Sequence, residues 1–111
     1  MSDPFDSKAC QIVLDEVLQE HNLLHEPYKY MNKHDYPDGT SEFYLPEFDR
    51  ADKNVVQQHE QGTLTWRDLL MREAIGATCE TDPEGLRGEL LDLASLVVEW
   101  IEAIDRREGG A

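Results

Sequence analysis

Glu89 and Asp92 stand three residues apart in the segment ELLD, a spacing that puts both carboxylates on one face of a helix. Paired oxygen ligands suit a hard divalent cation. Mg²⁺ in particular is held by a few carboxylates and keeps water and substrate phosphates in the rest of its shell. A further acid lies upstream in REAIG, at Glu73, three residues before Gly76. If both segments are helical and joined by a short turn, Glu73 can face Glu89 and Asp92, and the three acids then form a cradle for such a cation. The same residues also read as solvated surface acids, or as partners of Arg72 and Arg87. An ExxD pair alone does not separate these readings.

The elements that must position the acids are helical. Cys10, Val13, Leu14, Val17, Leu18 and Leu24 recur at helical spacing, so a first amphipathic helix is expected over residues 6–24, with Asp6 or Ser7 as N-cap. The following stretch, HEPYKYMNKHDYPDGTSEFYLPEF, has no sustained period and reads as a long ordered loop. Within it Pro37 to Gly39 is a turn signal, because proline presets one dihedral and glycine accepts a positive φ. A second helix is expected over 46–61, with Phe48, Ala51, Val55 and Val56 inward, proline in its first turn and Gly62 as its stop. Thr65 and Asp68 have the spacing of a capping box and open a third helix that carries Trp66, Leu69, Leu70, Ala74 and Ala77 to about Glu80.

After a short turn, Asp82 as N-cap and Pro83 at the first helical position begin the fourth helix, the clearest of the set. It is apolar at Leu86, Leu90, Leu93, Ala94, Val97, Val98, Ile101 and Ile104, and Arg106 and Arg107 suit the negative end of its dipole. The brevity of the TDPEG turn makes the third and fourth helices antiparallel neighbours. The expectation is a single all-α domain over residues 1–111, with four helices, a long loop between the first two, and flexible ends at 1–5 and 108–111.

The whole-chain numbers narrow the partners. With 24 acidic and 10 basic residues the formal net charge is −14, which disfavours a nucleic-acid backbone or an anionic membrane as partner. A solvated acidic surface, a cation site and a basic protein partner are all compatible with that charge. The two cysteines, Cys10 and Cys79, have neither CxxC spacing nor a zinc pattern with the histidines. Cys10, among helical apolar positions, reads as a buried thiol. The N-terminal MSDPFDSKAC has neither a basic start nor an apolar core, and no run approaches a membrane span, so a cytoplasmic, reduced protein is expected. A chain of 111 residues with large apolar helix faces buries little alone, which favours a homo-oligomer, a dimer or a tetramer.

Thr63 to Arg107, together with the loop at Pro37 to Thr40, resembles the MazG-like nucleoside triphosphate pyrophosphohydrolases, particularly their short actinobacterial and phage-borne forms. TWRDLL, ETDPEGLR and VEWIEAIDRR carry the likeness more than the acids do, and from Pro37 to Arg107 it covers roughly two-thirds of the chain. The family pattern is EExxE, a spacer, then ExxD. Here it falls on Arg72-Glu73-Ala74-Ile75-Gly76, a spacer of 12 residues, and Glu89-Leu90-Leu91-Asp92.

The resemblance implies a MazG-like bundle completed by oligomerisation. It also implies hydrolysis of an NTP or dNTP to the monophosphate and pyrophosphate. Mg²⁺, or Mn²⁺ in its place, would be held by Glu73, Glu89 and Asp92, with Glu73 also the nearest candidate base. Arg72 and Gly76 depart from the pattern, at the first glutamate position and at one metal-ligand position. The basic and aromatic residues expected upstream are matched only by Lys29 and Lys33, with Tyr30 and His34, as candidate substrate contacts. These departures leave a second expectation open: a catalytically degenerate member of the fold that binds a nucleotide or a protein partner.

Overall fold

A computed structural model describes residues 7–25 and 36–109. Among them every regular element is helical, with no strand: α1 Ser7–His25, a 3₁₀ turn Glu42–Tyr44, α2 Leu45–Gln61, α3 Trp66–Cys79 and α4 Pro83–Glu108. The expected all-α class and the four helices are therefore present. The 3₁₀ turn was not anticipated. Lys29, Tyr30, Lys33 and His34, the N-cap candidate Asp6 and the end segments 1–5 and 110–111 lie outside the described residues.

Two compact units divide the chain. The first holds residues 38–97, which contain the 3₁₀ turn, α2, α3 and the first part of α4. Its helix ends follow from local chemistry. Gly62 closes α2 in the left-handed region at φ 73°, and its N–H reaches the carbonyls of Gln58 and His59. A residue with a Cβ is disfavoured there. Thr65 and Asp68 form the expected capping box: the threonine hydroxyl accepts from the Asp68 N–H, and the Asp68 carboxylate accepts from the Thr65 N–H. Asp68 also accepts from the Asn54 amide at 2.8 Å, which ties the start of α3 to α2. The Thr65 hydroxyl, followed by Asn54, holds the Asp68 carboxyl below its ordinary value. At the other end, the Gly85 N–H donates to the Asp82 carboxylate at 2.9 Å, an N-cap for α4 as expected.

The buried side chains of this unit are Val55 and Ala77. Val56, expected inward, is 50% exposed. Successive residues on a helix point about 100° apart, and Val55 takes the face that packs inward. The same geometry corrects part of the reading of α4. Leu86, Glu89, Leu93 and Leu96 form its half-buried stripe, whereas Leu90 is 48% exposed and Ala94 and Val97 are exposed as well. A carboxylate thus occupies a position on the inward face that a purely apolar count assigns to Leu90.

The second unit contains α1 and the residues from Val98 onward. Val13 and Val98 are its buried side chains, and Leu14, Val17, Leu18 and Ile104, read from the sequence as apolar-face positions, remain exposed. Cys10 and Cys79 are both free thiols of intermediate exposure. No helix among the described residues is long and apolar enough to cross a membrane.

Candidate metal centre

Glu73 of α3 meets Glu89 and Asp92 of α4 within the first unit. One carboxylate oxygen from each of the three lies within 4.8 Å of the others, the only such grouping among the described residues. The capping box starts α3, the Asp82 cap starts α4, and the turn between them is short enough to fold one helix back along the other. Position 89 then faces inward and Asp92, one turn on, sits at the exposed edge. Opposite ligands of an octahedral ion stand about 4.2 Å apart for Mg²⁺ and about 4.6–5.2 Å apart for Ca²⁺. In an octahedral shell only one pair among three ligands can stand that far apart, so three oxygens that lie mutually within 4.8 Å must draw together to share one ion.

Partial burial raises the Glu89 carboxyl above its ordinary value, and the negative charges of Glu73, Asp92 and Glu80 raise it further. Glu80 is an unexpected neighbour. It lies just past the end of α3, where no helical period applies. Its Oε1 accepts from the Asp82 N–H at 3.1 Å, and its carboxyl group packs so closely over Gly85 that a Cβ there would stand 2.8 Å from Glu80 Cδ.

Both departures from the resemblance have structural counterparts. Arg72 Nη2 donates to Glu73 Oε1 at 3.3 Å, and its Nη1 lies 3.8 Å from Asp52 Oδ1. The arginine is therefore already paired with one of the three acids. Gly76 faces the cluster, because a Cβ built on it would come within 3.9 Å of Glu89 Oε2. That Cβ would also stand 3.1 and 3.3 Å from the Phe48 ring, tighter than ordinary contact. The Phe48 ring of α2 thus lies against the position from which a fourth carboxylate would project. Gly76→Glu restores a ligand only if that ring moves. Nothing in the sequence signals this pairing, since Phe48 and Gly76 are 28 residues apart.

Beside the cluster lies an open cleft of about 320 Å³, with Leu45, Phe48 and Cys79 supplying apolar surface and Glu42, Glu80 and Glu89 supplying carboxylates. The 3₁₀ turn places Glu42. Ser41 donates its N–H to the Thr78 carbonyl at 2.8 Å and caps the turn by accepting from the Phe43 N–H at 3.1 Å. The Cys79 thiol donates to the Ile75 carbonyl at 3.4 Å, within its own helix.

No protein-family model, curated protein or solved structure matches the chain.

Proposed function

We propose that the chain is a divergent MazG-like nucleoside triphosphate pyrophosphohydrolase, with Glu73, Glu89 and Asp92 as ligands of Mg²⁺ or Mn²⁺. The observation that carries this reading is the convergence of those three carboxylates, from two helices, within 4.8 Å. Acids that repel one another across two helices have a use when a cation joins them. When bound, the metal supplies charge neutralisation at the phosphates and a more acidic water. The chain's own residues do the rest. Glu89 and Asp92 anchor the ion from α4 and Glu73 from α3. If Glu73 also serves as base, that role competes with metal ligation and with the Arg72 hydrogen bond.

The test is pyrophosphate release from a panel of NTPs and dNTPs with Mg²⁺ or Mn²⁺, using the wild type and Asp92→Ala. Metal-dependent turnover lost in Asp92→Ala supports the reading. Turnover unchanged by that substitution assigns it elsewhere.

A second reading has its own support in Arg72 and Phe48. With Glu73 paired to an arginine and the Gly76 position faced by an aromatic ring, the chain is a non-catalytic member of the same fold that binds a nucleotide or a basic protein. It predicts silence across the whole panel together with a measurable complex. In either reading the exposed apolar residues Leu90, Leu91 and Val97 of α4 support self-association to a dimer or tetramer. Light scattering across a concentration series decides that point.

A further inference from the structure

The cleft beside the carboxylates has an apolar lining that neither a metal nor a triphosphate explains. Its apolar part is Leu45, the Phe48 ring and the Cys79 side chain, and its charged groups are Glu42, Glu80 and Glu89, with no basic residue on its walls. Phosphate is repelled by such a lining. A flat heterocycle is not, because the aromatic ring offers a stacking surface and the carboxylates offer hydrogen-bond acceptors alone. At about 320 Å³ the cleft falls at the lower end of the range for small-molecule sites, about 300–1,000 Å³. That size admits a single ring system more readily than a whole nucleotide.

Gly76 belongs to this cleft as much as to the metal centre. Its missing side chain lets the Phe48 ring approach α3, and any Cβ there would press on that ring. Glu80 is held in place by the Asp82 N–H, and the Ser41 cap and its bond to Thr78 fix the turn that carries Glu42. Both acceptors therefore stand on anchored backbone in the lining of the cleft.

We propose that this cleft is a nucleobase pocket selective for bases that present an amino group, in which Phe48 packs on the ring and Glu42 and Glu80 accept from the exocyclic amine. That its occupant is a nucleobase rests on the hydrolase reading, which puts the phosphates at Glu73, Glu89 and Asp92. At C4 cytosine presents an amine beside an unprotonated N3, and uracil presents a carbonyl beside an N3–H, so the discrimination is made by a carboxylate placed at C4. A carboxylate accepts from the first and repels the second. A well-made contact of this kind discriminates by roughly tenfold or more.

The experiment is a titration of the isotope-labelled protein with cytidine and, separately, uridine, in EDTA, followed by amide NMR. Cytidine is expected to shift the Gly76, Cys79 and Thr81 amides and to bind about tenfold or more tightly than uridine. In Glu42→Gln, where an amide offers both donor and acceptor, the two affinities are expected to converge. Equal binding of both nucleosides by the wild type overturns the proposal. So does an absence of shifts in these amides, or a preference that survives in Glu42→Gln. Because no metal is present, the outcome is separable from the hydrolase reading. A cytidine preference with no pyrophosphate release leaves the pocket and removes the hydrolase. Pyrophosphate release that does not distinguish CTP from UTP does the reverse.

Discussion

Replacing Glu89 by glutamine should make the metal-free protein more stable while abolishing its response to divalent cations. Two unit charges separated by 4.8 Å, the outer limit within the cluster, repel by about 0.9 kcal/mol in a water-like medium and about 3.5 kcal/mol at an effective dielectric of 20. Glu89 is partly buried and has two such neighbours, but Asp92 is exposed, so solvent screening pulls the value toward the lower limit. Asp92 also stays close to Glu89 along the unfolded chain, which cancels part of the difference between the two states. A net gain of about 1 kcal/mol remains, and glutamine matches glutamate in size and nearly in helix propensity.

Urea denaturation in EDTA should therefore move the midpoint of Glu89→Gln upward by roughly half a molar for a small domain. Added salt should narrow the gap. Saturating Mg²⁺ should invert the order, since at a hundredfold excess over Kd it stabilises the wild type by about 2.7 kcal/mol and the variant by much less. A Glu89→Gln protein that is less stable than wild type in EDTA, or one that gains as much from Mg²⁺, would show that these acids neither strain the fold nor hold an ion.

Three further outcomes follow from the same geometry. Arg72→Gln should tighten Mg²⁺ binding severalfold, read by calorimetry, because it frees Glu73 from a competing cation; weaker binding would make Arg72 a support of the site. Gly76→Ala gains about 1 kcal/mol in helix propensity but presses on the Phe48 ring, so it should be close to neutral in the wild type and stabilising in a Phe48→Leu background. Equal effects in both backgrounds would mean that the contact carries no energy. Thr65→Ala should cost about 1 kcal/mol through the lost cap. It should also weaken the acid response of Asp68, whose depressed carboxyl contributes stability above its ordinary value that is lost as pH falls through the lowered one. Parallel pH–stability curves for wild type and Thr65→Ala would contradict that assignment.

What the sequence makes legible here is mostly local. The Thr65–Asp68 box, the Gly62 stop and the Asp82–Pro83 start are decided by interactions within a few residues, and each appears at its expected place. The approach of Glu73 to Glu89 and Asp92 is legible for a related reason, since one short turn leaves the two helices little choice of partner face. Contacts that depend on the packing of distant elements are not legible. Phe48 against Gly76 joins α2 to α3, and Glu80 reaches the cluster from beyond a helix end, where no periodicity applies. The apolar count misplaces Leu90, Ala94 and Val97 on α4, because counting hydrophobic residues cannot anticipate that an acid, Glu89, takes an inward site. Lys29 and Lys33 lie outside the described residues.

Gly85, in the first turn of α4, acts beyond that turn. Glu80 rests over its bare α-carbon, and a single methyl group there would stand 2.8 Å from the carboxyl carbon. The glutamate is a flexible side chain and would swing away, releasing the Asp82 N–H and taking one negative charge from beside Glu89. Gly85→Ala would thus retune both the affinity of the cluster for a cation and the acceptor set of the cleft without altering any residue proposed to touch a ligand. A position with no functional group of its own sets the charge of the site, as a dial set by steric volume alone.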